Sequence, residues 1–368
     1  MRTPHRAGRL RRTAATAVTL VLATALAACS GGAAGEGADG SGHTLKVAAY
    51  AGSWGESFTR AFVEPFERET GATVELVPGG PADWLTGLRS SQGGVPAYDV
   101  VAFTPNVVPS AVAAGVVAPL DTARITDFAQ LNSTLVAQST IDGQQYGVPL
   151  TVGATGIAYR TDKITEPPTD WSDLLDPRYC GHVAVSPLTF NTGVEFLAGL
   201  VHEAGGSITD PADVDAALTR LQALADCASA FPADGTSVES ALVNGDAWIG
   251  AHWDGRTFVK QNEGQPLGYA YPRSGSVGAL TSMFVAEGTE EQDLAYRFLN
   301  YVASAQYQPT FSAGTWYAAS NDTNVYPEEF TRQIRSGPGA YDGFEWVDYR
   351  TLTPRLPELQ ARWQQIFG

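Results

Sequence analysis

Three short runs of this chain concentrate side chains able to hold a small charged solute: Ser53-Trp54-Gly55-Glu56, Thr104-Pro105-Asn106 and Trp253-Asp254-Gly255-Arg256. An ammonium group drawn out of water requires a carboxylate or aromatic faces, because an unpaired buried charge is very costly. Trp54 and Trp253 offer cation–π contacts of about 2 kcal/mol each once desolvated, or else pack into a core, as tryptophan commonly does. Glu56 reads either as a ligand carboxylate or as the reciprocal partner of Ser53 in an S-x-x-E capping box at a helix start. A bare helix N-terminus at that point attracts anions and would suit a solute carboxylate. Asp254 can meet an amine. Arg256 either clamps a carboxylate through two bonds or pairs with Asp254, and the simple pair is the expectation.

Covalent chemistry finds less support. Of five histidines, His5 and His43 fall in the N-terminal leader and the segment after it, and His182, His202 and His252 form no H-E-x-x-H helix. There is no G-x-S-x-G and no G-x-x-x-x-G-K. No enzyme, no cofactor and no metal site is expected. Trp248, inside a strand rather than at its end, reads as core.

The elements that must position these side chains follow from hydrophobic period. Leu45 to Tyr50 reads as a strand, Ala51 to Gly55 as a turn, and Glu56 to Glu69 as a helix with Phe58, Phe62 and Phe66 on one face. Gly71 stops that helix and Thr73 to Val77 alternates like a second strand. A strand-helix-strand unit implies a right-handed crossover and parallel pairing. Ligands of open α/β sheets sit beyond the carboxyl ends of the strands, where Ser53, Trp54 and Glu56 fall. The strand Asp99–Phe103 delivers Thr104 and Asn106 to the same side. Tyr146 to Tyr159 is extended, with Gly153 and Gly156, and reads as a connection from one lobe to another. Helices are expected from Asn191 or Thr192 to Ala204, from Pro211 after an Asp210 cap, and over Ser237–Asn244. A strand from Ala247 to His252 then leads into the Trp253 run. Leu267–Tyr271 and Ala279–Val285 read as strands, Glu290–Ser304 as an amphipathic helix, and a polar aromatic loop with Trp316, Tyr317 and Asn321 precedes a last helix over about 354–367.

The chain has 368 residues, room for about two domains at roughly 150 residues each. At 44% hydrophobic and 17% charged it reads as compact rather than disordered. A net charge of −16, more negative still without the leader arginines, disfavours nucleic acid and anionic membrane surfaces and favours a cationic solute, or else serves solubility alone. Arginines precede an apolar run from Ala14 to Ala28, too short to span a bilayer and ending in Leu26-Ala27-Ala28-Cys29. This is the pattern of a lipoprotein signal peptide, with cleavage after residue 28 and lipidation of Cys29. Ser30 to His43 is Gly-rich and reads as part of a flexible tether, 29–43. Cys180 and Cys227 are then a permitted disulfide in an exported protein, or two buried thiols.

Taken in order, SWGES before FVEPFERETG, YDVVAFTPN, YGVPLTVGATGIAY, DWSDLLDPRYCGHVAV, WDGRTF, YPRSGSVGAL and YAASN resemble the solute-binding lipoproteins of ABC importers, within them the spermidine/putrescine-binding type. The resemblance implies an α/β, type II two-lobed periplasmic-binding-protein-like fold with discontinuous lobes, 44–151 with 280–318 and 152–279 with 319–368, and a cleft between them. It implies a monomer on the outer face of the membrane that hands a small-molecule ligand to ABC permease and ATPase subunits. Trp54 and Glu56 match the family's first-loop positions, Thr104 and Asn106 stand where a hydroxyl and an aromatic are expected, and Trp253 and Tyr317 match a wall tryptophan and a late tyrosine. Two departures stand out: Pro187 to Asn191 carries no acid, and Ala279 and Thr281 replace an aromatic and an aspartate. The implied solute is a small amine of polyamine type, the alternative being 4-aminobutyrate or another amino acid. Sensing through the same pocket is a third role, and an exported enzyme a fourth.

Overall fold

Leu45 and Val47 alternate inward along β1 (Thr44–Ala49), which pairs in parallel with β2 (Thr73–Pro78) and with β3 (Val100–Phe103). The structure is a computed structural model, and it describes residue 40 and residues 42–368. The expected leader 1–28, Cys29 and most of the expected tether lie outside the described residues. Gly40 and His43 are described and already docked: Gly40 N donates to Thr70 O at 2.9 Å, Thr73 N donates to His43 O at 3.0 Å, and the His43 ring meets Glu291 at 3.0 Å. The chain therefore joins the fold before the expected end of the tether.

The crossover between β1 and β2 is helical from Gly52, with a π turn at Thr59–Val63 and a second α segment, Glu64–Thr70, ending on Gly71 at φ 71°. The helix thus begins four residues before the expected Glu56. Gly52 takes φ 67° to enter it, and a Cβ on Gly55 would stand 2.4 Å from Tyr50 O, so the small residues are the first turn itself. No side-chain cap forms here, so the Ser53–Glu56 capping box is not made. Phe58, Phe62 and Phe66 are fully buried, and Phe66 meets Phe298 edge-on at 5.2 Å, which seats this helix on Gln292–Ala303.

After a small separate hairpin of β4 (Thr140–Ile141) and β5 (Gln144–Gln145), the expected connection proves to be the central strand of the molecule, β6 (Gly147–Arg160). It is followed by β7 (Val183–Ala184), β8 (Ala228–Ala230), β9 (Ile249–Trp253), β10 (Leu267–Ala270), β11 (Val277–Val285) and β12 (Ala318–Ala319). The sheet runs β2-β1-β3-β11-β6-β9-β7-β8, with β10 and β12 also on β6. One core, around Val47, Phe62, Phe103 and Phe298, covers the β1 end. A second, around Trp171, Leu197, Leu221 and Trp363, covers the β9 end. β6 and β11 run unbroken between them, so the expected lobe boundaries at 151/152 and 279/280 fall within continuous strands. Their pairing shifts register between Thr281 and Ser282, opposite Pro149. Proline has no N–H for the ladder and is tolerated at such a bulge.

Three local expectations change. Helix Asn191–Glu203 starts from extended Phe190 with no side-chain cap, so neither Asn191 nor Thr192 caps it. A helix, Asp254–Asn262, begins directly where β9 stops. The expected loop after Ser304 contains a helix, Gln308–Thr315, which ends on Trp316 in the left-handed region at φ 54°. Elsewhere Asp210 accepts from Ala212 N at 2.8 Å and caps Pro211–Leu221. Cys180 and Cys227 form a disulfide beside β7 and β8. Trp248 is half-buried rather than core, and stacks on His182 at 3.6 Å.

Candidate functional site

β1 delivers Tyr50 and the start of the first helix, β3 delivers Thr104, and the bulged pair β6–β11 delivers Thr151 and Thr281 to one side of a cleft of about 590 Å³. The other side comes from the first turns of Asn191–Glu203 and Asp254–Asn262, with Tyr317 and Tyr349 closing the wall. Strand ends and helix starts of both cores therefore meet on one space, as expected for a cleft beyond the carboxyl ends of strands.

The strongest electrostatic feature is Glu195. It lies one turn into its helix, 3% exposed, and lines the cleft. Thr155 Oγ1 donates to its Oε2 at 2.7 Å and Trp253 Nε1 donates to the same oxygen at 3.1 Å. Oε1 carries no hydrogen bond among the described residues. Burial pushes the carboxyl up to about 7, against the pull of those two donors. Beside it Tyr349, 7% exposed, brings a hydroxyl that has no partner among the described residues, and burial with the nearby Glu195 charge raises that phenol well above its ordinary value. Phe190 meets Trp253 edge-on at 5.5 Å and completes an aromatic wall.

Farther along, Arg256 Nη1 donates to Glu239 Oε1 at 2.6 Å. Burial pushes the Glu239 carboxyl up, but His252 at 3.7 Å, Arg256 and Lys260 together hold it below its ordinary range. His252 is 1% exposed, and desolvation lowers its pKa. Lys260 in turn pairs with Glu263 at 2.8 Å. Tyr50, pushed up to about 12 by burial and eased by the Thr281 and Thr104 side chains, stands on the opposite wall.

Of the residues singled out from sequence, Ser53, Trp54, Thr104, Asn106, Trp253, Arg256, Thr281 and Tyr317 line this cleft. Thr104 donates to Asn106 Oδ1 at 2.5 Å, so these two hold each other. Trp54 combines both of its readings: it borders the cleft, yet its ring stacks on Phe58 at 5.0 Å and meets Phe311 at 5.1 Å in the core. Two acids fall elsewhere. Glu56 is exposed and outside the lining, on the helix face opposite buried Phe58. Asp254 is 2% exposed, and its Oδ1 accepts from Gly255 N at 2.7 Å while its Oδ2 accepts from Tyr271 at 3.1 Å. Burial pushes its pKa up to about 7. Arg256 accordingly pairs with Glu239 and not with Asp254. The reason is helical phase, since residues two apart do not share a face once the helix starts at Asp254.

Sequence reasoning missed Glu195, Glu239, Tyr50 and Tyr349. Glu195 had a visible signal, a lone charge inside the apolar run Val194–Val201, and a buried polar residue is the informative exception. Glu239 and Tyr349 had none. Among the described residues no group of three or more His, Cys, Asp or Glu side chains could hold a metal ion, and none of the helices is long and apolar enough to cross a membrane.

A family model described as bacterial extracellular solute-binding protein matches residues 61–334. The chain is 24% identical over 302 residues to the spermidine/putrescine-binding periplasmic protein of Escherichia coli strain K12, covering 77% of this chain and 84% of that one. A crystal structure of an ABC transporter from Clostridium perfringens superposes with a TM-score of 0.74 at 20% identity, covering 88% of this chain and 100% of that one. A GABA receptor structure gives 0.71 at 20% identity, covering 88% and 97%. The fold is the two-lobed α/β fold of the periplasmic binding proteins.

Proposed function

From the premise that this chain belongs to the bacterial extracellular solute-binding protein family, a transport family, we propose that it captures a small aminated solute of polyamine type and delivers it to the permease and ATPase of an ABC importer. Removal of the leader and lipidation of Cys29 would hold it as a monomer on the outer face of the cell membrane. The observation that carries the reading is Glu195, a carboxylate with one oxygen unbonded inside an aromatic-walled cleft. An ammonium placed there gains a charge-assisted hydrogen bond and ring faces in one position. The relative from Escherichia coli, named for spermidine and putrescine, supports the same solute class.

Capture involves no covalent step. The strands β6 and β11, continuous between the two cores, are the segments about which lobes would close over the solute. Closure excludes water and presents both lobes to the permease together. Micromolar affinity corresponds to about −8 kcal/mol, within reach of one or two charge-assisted bonds and a few aromatic contacts. A second reading, 4-aminobutyrate or another amino acid, is favoured by Arg256 on the same cleft and by the GABA receptor of like fold.

The test is a thermal-shift panel of spermidine, putrescine, 4-aminobutyrate, common amino acids and thiamine. A ligand at a hundred times its dissociation constant adds about 2.7 kcal/mol of stability. A shift with at least one amine is expected, and no shift with any of them would overturn the proposal.

A further inference from the structure

Two acids of the cleft, Glu195 and Glu239, stand toward opposite edges of the Trp253 indole. At one edge Trp253 Nε1 donates to Glu195 Oε2 at 3.1 Å. At the other, a Cβ on Gly235 would lie 3.0 Å from Trp253 Cζ3 and 2.7 Å from Arg256 Nη1. Gly235 opens the helix Gly235–Asn244, and Glu239, four residues on, shares its face. Each acid has one oxygen bonded and one open. Glu195 Oε2 takes both neutral donors, the Thr155 hydroxyl and the Trp253 indole, and Oε1 takes none among the described residues. Glu239 Oε1 accepts from Arg256 Nη1 at 2.6 Å and has His252 Nε2 at 3.7 Å, while Oε2 carries no hydrogen bond among the described residues. His252 is 1% exposed and burial favours its neutral ring, so Arg256 is the one full charge on that carboxylate.

Building on the amine-receptor reading, we propose that Glu239 is a second ammonium anchor, so that a diamine or polyamine lies along the Trp253 indole with one ammonium on Glu195 Oε1 and the next on Glu239 Oε2. The methylenes between them run along the ring, apolar against apolar. Each ammonium then donates to a carboxylate oxygen, the charge-assisted bond that compensates its desolvation. Arg256 does not close this end of the site. A carboxylate has acceptor capacity on both oxygens, so one can hold the guanidinium and the other an ammonium. The Arg256 side chain is 38% exposed, so solvent screens its charge from a cation on Oε2. The two ends differ in consequence. Glu195, 3% exposed and without a cation of its own, is the stronger anchor, and Glu239, its charge shared with Arg256, adds a smaller gain that only a second ammonium can collect.

Calorimetric titration of the full chain compares putrescine with n-butylamine and cadaverine with n-pentylamine, each pair differing by one ammonium. In at least one pair the diamine should bind about tenfold tighter or more, the low end of what a hydrogen bond to a charged group gives. Glu239→Gln should lower that ratio at least about fivefold, a coupling read as a ratio so that a general loss of binding cannot mimic it. Because Glu239→Gln leaves Arg256 without its acid, the double variant Glu239→Gln, Arg256→Gln removes both charges and should show the same loss. Arg256→Gln alone should keep the ratio at or above its native value. A native ratio below about tenfold in both pairs, or 4-aminobutyrate binding more tightly than both diamines, overturns the inference and leaves the amine receptor standing. A smaller loss in the double variant, or an equal loss in Arg256→Gln alone, overturns it as well. If no amine binds the native chain, the receptor reading and the inference fall together.

Discussion

Replacing Glu195 by Gln tests the site most directly, because the amide keeps an oxygen for Thr155 and Trp253 and removes only the charge. A hydrogen bond to a charged group contributes about 1.5–3 kcal/mol, so amine affinity should fall by about 10- to 150-fold. The native protein adds a second signature. With its carboxyl pushed up to about 7 by burial, the empty cleft holds Glu195 largely protonated at pH 6, and binding an ammonium must expel that proton. Affinity should weaken by about tenfold per unit of pH below 7 and level off above it. Titration calorimetry at pH 6 in two buffers of different ionisation enthalpy should count close to one proton released per ligand, falling toward zero at pH 8. Glu195→Gln should abolish the release. Stability of the empty protein runs the other way: a carboxyl whose folded pKa is raised favours the fold below its unfolded value near 4.5, and that contribution is lost as pH rises through about 7. A native dissociation constant that stays flat from pH 6 to 8, or native affinity in Glu195→Gln, would refute the assignment.

Asp254→Asn should leave ligand affinity within about twofold, since the side chain caps Gly255 N away from the cleft, and it should raise the melting temperature at pH 8, where the buried carboxyl of pKa about 7 is ionised; a large loss of binding would return Asp254 to the site. The Cys180→Ser, Cys227→Ser double variant opens a loop of sequence separation 47, for which chain entropy allows up to about 4 kcal/mol. Chemical denaturation should show a loss of about 2–4 kcal/mol, matched by the reduced native protein, and an unchanged midpoint would show that the bond adds nothing. In Gly153→Ala the new Cβ would lie 2.6 Å from Tyr317 Cε1 and 2.9 Å from Asp254 Oδ1. Overpacking of this kind costs about 1–3 kcal/mol and displaces a wall tyrosine, so both melting temperature and amine affinity should drop; no change in either would mean that Tyr317 is not held as described.

Most strands and helices, and the general location of the cleft, were legible before any tertiary contact was known, because both depend on local periodicity; the helices Asp254–Asn262 and Gln308–Thr315 were not. Phe58, Phe62 and Phe66 mark a buried helix face wherever the helix packs, and strand ends at Phe103 and Trp253 bring their following residues to one side of an α/β sheet. Which charges meet was a different matter. Moving a helix start by one residue turns each following side chain by about 100°, so beginning at Asp254 turned that acid onto its own backbone and sent Arg256 to Glu239, a partner on another helix. Starting the first helix at Gly52 likewise left Glu56 in solvent. The strand β6 looked like a connection because its pairing partners, β9, β10, β11 and β12, come later in the chain. Glu195 was legible only as an anomaly in an apolar run. Its role required the tertiary structure, because the two donors that fix one oxygen, Thr155 and Trp253, come from segments far away in sequence, and only their convergence on Oε2 leaves the other oxygen facing the cleft without a hydrogen bond among the described residues.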